Sequence, residues 1–401
     1  MSDAAKSAQY GVDRVRSDRD YPSDGDETAA WQGRFSAQYL EPTREQLDAA
    51  RAQILQRTTS GEMVVTIPFR ERDNTVGGVL DALAQWLPPA SILVVENGSS
   101  DEAISAVRER AGVRLAYQDD LLDTLDWARL LPLLKIDKRP KGKGVAVLAG
   151  SLFWHFMVRA GRIGHPQWIM AHDAEIRECD RYRSVEHLVW ATLQRQSAHY
   201  AKTAKYGRTN SACMTARSML AVLANAPGNV DPQVRRRAAD LFERLVPHKW
   251  MLTGEFMMRF ELVMRRPFAT GFLEETLAST FAEDLGASTG AHTVHVANPN
   301  PRMDAANTRR KERMMQQQIS NFILLLAVFG IPTHEWTSAT IEELNRNWMS
   351  TPHAMGWITD DEGPTCAEML PSDRILPSVQ MLVDGGYILG DKVRQLLDKI
   401  P

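Results

Sequence analysis

The sequence predicts an α/β protein built on a doubly wound, mostly parallel sheet. Three observations point there. The apolar runs Met63–Phe69 and Ile92–Val95 are rich in β-branched residues, and each leads through a turn into a stretch with helical periodicity. A third unit, from Val145 to Ala171, places an apolar helix before an apolar strand. The chain has 401 residues, 44% of them hydrophobic and 24% charged, which suits an ordinary globular protein with a large core.

Several classes are excluded at this level. A formal net charge of −3 gives no global argument for a nucleic-acid partner. Cys179, Cys213 and Cys366 are too scattered for a disulfide framework or a zinc knuckle, so a reducing cytoplasm is expected. The N-terminal stretch MSDAAKSAQYGVDRVRSDRDYPSDGDE is polar where a signal peptide needs an apolar run. The most lipid-like segment, FILLLAVFGI from Phe322 to Ile331, is about half the length of a bilayer span and reads as a core helix. No membrane partner is expected.

In chain order, residues 1–42 form a polar, partly disordered leader. PTREQLDAARAQILQR then carries Leu47, Ala50, Ile54 and Leu55 at helical spacing. After MVVTIPF, the faces of Val76, Leu80, Leu83 and Leu87 align on a helix that Asp73 or Asn74 caps and Pro88 and Pro89 end. SILVVENGSSDEA repeats the theme: strand, a turn at Asn97–Ser100, and a helix from Asp101. The basic, glycine-rich turn RPKGKG precedes a helix from Val145 to Ala160, and a strand from Gln167 to Ala171 ends in HDAE. No repeat of fixed period is visible, which argues against a solenoid. Beyond Arg302 helices are expected at 309–330, 340–349 and 377–400.

The acid pair Asp173 and Glu175 carries the first chemical expectation. Alternation sets residues i and i+2 on one side of an extended chain, so both carboxylates can face one spot at the end of a strand. A hard divalent cation would relieve their repulsion and keep positions open for water and a diphosphate. Solvated acids in a polar turn are the plain alternative. In RPKGKG, glycines let amides approach an anion, and lysines with a helix N-terminus add positive charge; the stretch lacks the P-loop pattern, so a flexible basic loop stays open. VENGSSDE sets acid and amide groups at a strand end, able to accept from a ribose or to make an ordinary capped turn. Leu252–Thr276 holds Gly254, Glu255, Glu274 and Glu275, and reads equally as a pocket wall or as a helix ending at Pro267. His292 and His295 fall on opposite faces if they share a strand, so they are poor metal partners for each other.

Taken together and in this order, the motifs resemble nucleotide-sugar glycosyltransferases of GT-A fold, most of all the mannosyl-3-phosphoglycerate and glucosyl-3-phosphoglycerate synthases. The likeness runs from about Val64 to Asp304. IPFRE stands for that family's V-P-x-K-N-E, VVENGS for I-V-S-N-S, KGKG for S-G-K-G and HDAE for D-A-D. LTGEF and PFATGFLEE stand for T-G-x-x-G-E-H and P-F-S-T-G-Y-x-x-E, and NPRMD for N-P-H-x-H. The resemblance implies a GT-A catalytic domain at 43–308 and a helical C-terminal extension at 309–401. It implies a retaining transfer of an α-sugar from a donor such as GDP-mannose or a glucose nucleotide to 3-phosphoglycerate or a similar small acid. Magnesium or manganese would be held by Asp173, Glu175 and Asp304. Pro68, Phe69, Glu71, Asn97 and Ser99 would line the nucleoside pocket, with Lys143 beside the diphosphate. Gly254, Glu255, Thr270 and Glu275 would face sugar and acceptor, and Asp173, Glu255 and Glu275 form the expected catalytic set.

Two departures from the family pattern stand out. Glu175 replaces an aspartate, and Asp304 falls where a metal-binding histidine is expected, which a hard cation tolerates. Lys205, Tyr206 and Arg208 form a basic patch that fits an acceptor phosphate or a solvated surface. A different acceptor, or a catalytically silent nucleotide-sugar binder, remain the alternative readings. A glycoside hydrolase is disfavoured, because its two carboxylates must sit apart across a sugar whereas these converge. A homodimer through the stripe of Met314, Met315 and Phe322 is weighed against packing onto the catalytic domain, which is preferred.

Overall fold

The computed structural model of the chain describes residues 37–70, 75–174, 176, 183–205, 232–233, 236, 239–240, 254–271, 273–289, 292–298 and 375–400. The expected caps Asp73 and Asn74 and the expected helices at 309–330 and 340–349 lie outside them.

Strand β1 (Ala37–Leu40) falls within the segment read as a leader. Helix α1 (Arg44–Thr59) follows, closed by a capping box in which the Thr43 hydroxyl accepts from the Gln46 amide and the Gln46 side chain accepts from the Thr43 amide. Then come β2 (Met63–Phe69), α2 (Val76–Ala84), β3 (Ile92–Glu96) and α3 (Asp101–Arg108). The Ser100 hydroxyl accepts from the Ala103 amide at 3.3 Å, as its place before Asp101 predicts. Strand β4 (Arg114–Tyr117) and helices α4 (Gln118–Leu122) and α5 (Trp127–Leu134) lead to α6 (Lys143–Arg159) and β5 (Trp168–Ala171). After α7 (Ser184–Gln194) and β6 (Ala198–Lys205), the chain forms β7 (Phe256–Arg259), α8 (Phe260–Arg265), β8 (Phe268–Ala269), α9 (Leu273–Thr289) and β9 (His292–Asn298). Strand β10 (Ile375–Leu376), α10 (Val379–Asp384) and α11 (Gly390–Lys399) complete the described chain.

Eight strands form one sheet in the order β1-β9-β6-β7-β5-β2-β3-β4, with all neighbours parallel except β7, which runs antiparallel to β5 and β6. Alternate residues feed two cores. Val64, Leu93, Val95, Ile169 and Ala171 face α6, while Met63, Val65, Ile67, Val94 and Met170 pack with Ile54 of α1 and Val189 of α7. A sheet covered on both faces needs apolar residues at every position, which is why β2 and β3 read as continuous runs. Helix α6 is buried almost all round. Gly150 lets it press on β2: a Cβ there would lie 2.3 Å from Thr66 Cγ2, and the Trp154 indole donates to Thr66 Oγ1 at 3.2 Å.

Two further elements differ from the expected ones. The stretch before Pro267, open between a helix and a pocket wall, is a strand followed by a short helix, because Phe256, Met257 and Met258 are drawn into the sheet beside β5. The single helix expected from Pro377 to Ile400 is two helices, broken after the α10 cap at Gly385, where Gly386 takes a φ of +64° that an L side chain avoids.

Candidate active site

Parallel strands end together, and their carboxyl ends supply the loops to one edge of the sheet. At that edge β2 ends in Phe69, whose carbonyl accepts from the Asn97 amide at 2.9 Å. The Phe69 side chain is core, packed with Ile67 and Val94, so its contribution to a pocket is main chain rather than ring. Pro68, Asn97 and Ser99 are half-buried. The Glu96 carboxylate does not face a ligand: it accepts from the amides of Gly98 and Ser99 and so closes the turn, with Gly98 at a φ of +89°.

The centre of the site is Lys143. RPKGKG holds the start of α6, and the Lys143 ammonium donates to Asp173 Oδ1 and to Glu275 Oε1, each at 2.5 Å. Burial works against the charged amine, but the two carboxylates outweigh it and hold its pKa above the ordinary lysine value. Residues 132 apart in sequence, on α6 and α9, thus meet β5 at one point.

Asp173 lies flat on Gly254. A Cβ on that glycine would fall 2.0 to 2.4 Å from both oxygens and the Cγ of the Asp173 carboxyl group. Glu255, fully buried beside it, accepts from the Thr203 hydroxyl at 3.3 Å through both its side chain and its carbonyl. Thr270 is buried in the turn before α9. His172 is turned away from the site, its Nδ1 at 2.8 Å from the Asp173 carbonyl and its Nε2 at 2.8 Å from the Ser184 hydroxyl. It orients the loop and leaves the Asp173 carboxylate to Lys143.

The structure therefore brings together Lys143, Asp173, Gly254 and Glu275, with Glu255 and Thr270 adjoining through the chain. Glu71, Glu175 and Asp304, together with Tyr206 and Arg208, lie outside the described residues. Two participants, Lys202 and Arg266, were not singled out by sequence. Lys202 is fully buried, with its ammonium 3.2 Å from the Ser279 hydroxyl and 3.4 Å from the Glu275 carbonyl. Arg266 and Glu274 form an ion pair with no exposed side-chain surface to speak of. Only an apolar setting such as β6 between β7 and β9 could have flagged the lysine.

Among the described residues, no three His, Cys, Asp or Glu side chains are placed to hold a metal ion. The donor chemistry at Asp173 nevertheless fits a hard cation. Two carboxylates already converge on one positive group there, and Gly254 leaves room for the Asp173 carboxyl group beside it. Among the described residues no helix is long and apolar enough to cross a membrane.

The mostly parallel sheet, with β7 antiparallel between β5 and β6, matches the GT-A architecture. No family model matches the chain, and no curated protein matches it in sequence. Among solved structures it is similar to glucosyl-3-phosphoglycerate synthase from Mycobacterium tuberculosis. With that protein in complex with Mn2+, uridine diphosphate and phosphoglyceric acid, the TM-score is 0.50 at 20% identity, over 74% of this chain and 87% of the other. With its uridine diphosphate complex the values are 0.50 and 20%, over 74% and 89%. A likeness at that identity establishes the fold.

Proposed function

We propose that the chain is a divalent-metal-dependent, retaining glycosyltransferase that moves an α-sugar from a nucleoside diphosphate sugar to a small acid of the 3-phosphoglycerate type. The observation that carries this reading is the Lys143 ammonium held between Asp173 and Glu275 at the carboxyl edge of a GT-A sheet. The similar mycobacterial protein has been solved with Mn2+, uridine diphosphate and phosphoglyceric acid, which supports uridine donors as the first to test.

Breaking the bond from sugar to phosphate leaves negative charge on the diphosphate, and stabilising that charge is the main demand on the protein. Lys143, at the N-terminal end of α6, supplies a positive charge and a donor for that group. A divalent cation, when bound, adds Lewis-acid charge at the same place; Asp173 would hold it, with Glu175 and Asp304 as the further proposed ligands. Glu255 and Glu275, with Thr270, are placed to orient sugar and acceptor hydroxyls, and Gly254 leaves room for the Asp173 carboxylate. Pro68, Glu71, Asn97 and Ser99 form the nucleoside side of the pocket. No protein nucleophile is required.

The test is a thermal-shift panel of uridine, guanosine and adenosine diphosphate sugars with Mn2+, because a ligand that binds only the native state raises its melting temperature. At a hundredfold excess over Kd the gain is about 2.7 kcal/mol. No shift with any donor in the presence of metal overturns the proposal. Mass spectrometry of reactions offered 3-phosphoglycerate and other hydroxy acids then identifies the acceptor.

A further inference from the structure

We infer that the buried Arg266–Glu274 pair, with the two glycines flanking Lys143, is a positioning device that fixes Glu275 against Lys143. Glu274 and Glu275 are neighbours in the first turn of α9, and successive residues on a helix point about 100° apart, so only one can face the cleft. Glu275 takes that place. Glu274 turns inward, where its Oε1 meets the Arg266 guanidinium and its Oε2 accepts from the Ala269 amide at 2.9 Å. The same side chain therefore ties the start of α9 to β8 across the turn that carries Thr270 and Gly271.

Arg266 is held just as closely. Its guanidinium lies 4.1 Å over the Phe268 ring and donates to the Pro267 carbonyl at 3.2 Å. Its Nε makes no hydrogen bond among the described residues. A buried ion pair left partly unsatisfied is a poor device for stability, since apolar replacements of similar size are often neutral or better. Its role here is to hold the turn before α9 in place.

The other side of the turn is pressed by the lysine's own neighbours. A Cβ on Gly144 would stand 1.7 Å from the Ala269 carbonyl oxygen and 2.8 Å from Glu274 Cβ. Gly142, at a φ of +125°, would place a Cβ 3.4 Å from the Gly271 amide nitrogen. On the outer edge, β10 pairs antiparallel with β8, Leu376 opposite Phe268 and Ile375 opposite Ala269. The turn is clamped from α6, from β10 and from within.

The inference rests on the proposed function only for its effect on turnover, and carboxyl footprinting tests it without a donor. The full chain is treated with a carbodiimide and glycinamide, and modification is mapped by mass spectrometry. In the wild type Glu275, with 5% of its side chain exposed, is protected, whereas Asp391, 83% exposed, reacts freely. In Arg266→Met combined with Glu274→Met, the fold is expected to persist and Glu275 modification to rise about tenfold, the effect of a local opening made easier by 1.4 kcal/mol. Buried Glu255 should stay protected. Arg266→Lys keeps the charge but loses the planar fork and the stacking, and should raise Glu275 modification in the same direction. Unchanged protection of Glu275 in either folded variant overturns the inference, as does unfolding of both, which would make the pair structural. With an active donor the variants should lose kcat while donor KM holds. A chain that ignores every nucleotide sugar would sink the proposed function yet leave the footprinting result standing.

Discussion

Replacing Lys143 with methionine removes the cation that, among the described residues, Asp173 and Glu275 share, and the structure sets the size of the consequence. Each contact to the ammonium is 2.5 Å, so the two oxygens are no more than about 5 Å apart. At that separation, two unit charges repel by about 3 kcal/mol in an effective dielectric of 20. Breaking a buried pair by deleting one partner costs about 3–5 kcal/mol, and the partial exposure of Lys143 and Asp173 places this case at the lower end. With a urea slope of roughly 3 kcal/mol per molar, the unfolding midpoint at pH 7 should fall by about 1 M. Adding Glu275→Gln removes one of the two repelling charges and should recover most of that loss. An unchanged midpoint for Lys143→Met, or a further fall when Glu275→Gln is added, would refute the account of the site as a shared-cation cluster.

Other perturbations have directions set by single contacts. Gly254→Ala puts a methyl group inside the space of the Asp173 carboxyl group, so the thermal shift produced by Mn2+ and donor should be lost while the chain still folds, as circular dichroism would report. Asp173→Ala should reduce turnover by roughly 100-fold or more if the chain is an enzyme; a silent binder would only bind more weakly, which isothermal calorimetry separates. Gly150→Ala drives a Cβ into Thr66 and should cost about 1–3 kcal/mol in urea unfolding without altering the site. His187 is held by burial at a pKa of about 4, below its ordinary 6.5, with its Nδ1 at 2.8 Å from the Arg183 carbonyl. As pH falls through 6.5 the unfolded chain takes up a proton that the folded chain refuses until about 4, so this group lowers stability across that window by about 3 kcal/mol in total. In His187→Gln the fall in melting temperature between pH 6.5 and pH 4 should be correspondingly shallower.

The frame was legible because it is written in local patterns. The runs at Met63–Phe69 and Ile92–Glu96 are strands, Ser100 caps its helix, and the apolar stretch after RPKGKG is the helix behind the site. Asp173 was legible for a second reason, its position just past an apolar strand. What escaped was whatever depended on the partner the folded chain supplies, near or far in sequence. Phe256–Arg259 alone could be helix or strand, and only an open sheet edge beside β5 decides it. Glu96 looked as free to meet a ribose as Asn97, until the amides of Gly98 and Ser99 claimed it. Glu274 and Glu275 are alike on paper; the direction of α9 makes one a core residue and the other a site residue.

The balance of charge at the cluster bears on what it can bind. Among the described residues, Asp173 and Glu275 present two carboxylates to the Lys143 ammonium, a pairing that suits a further cation better than a bare diphosphate. A lysine site intended for phosphate alone would omit the carboxylates, as glycine-rich phosphate cradles rely on main-chain amides instead. Under the proposed function, a ligand that brings its own cation beside the phosphates would satisfy both halves, Asp173 holding the cation and Lys143 donating to phosphate. Under the proposed function the acid and the lysine are then parts of one device. The 2.5 Å contact between them pairs two charges that burial partly desolvates.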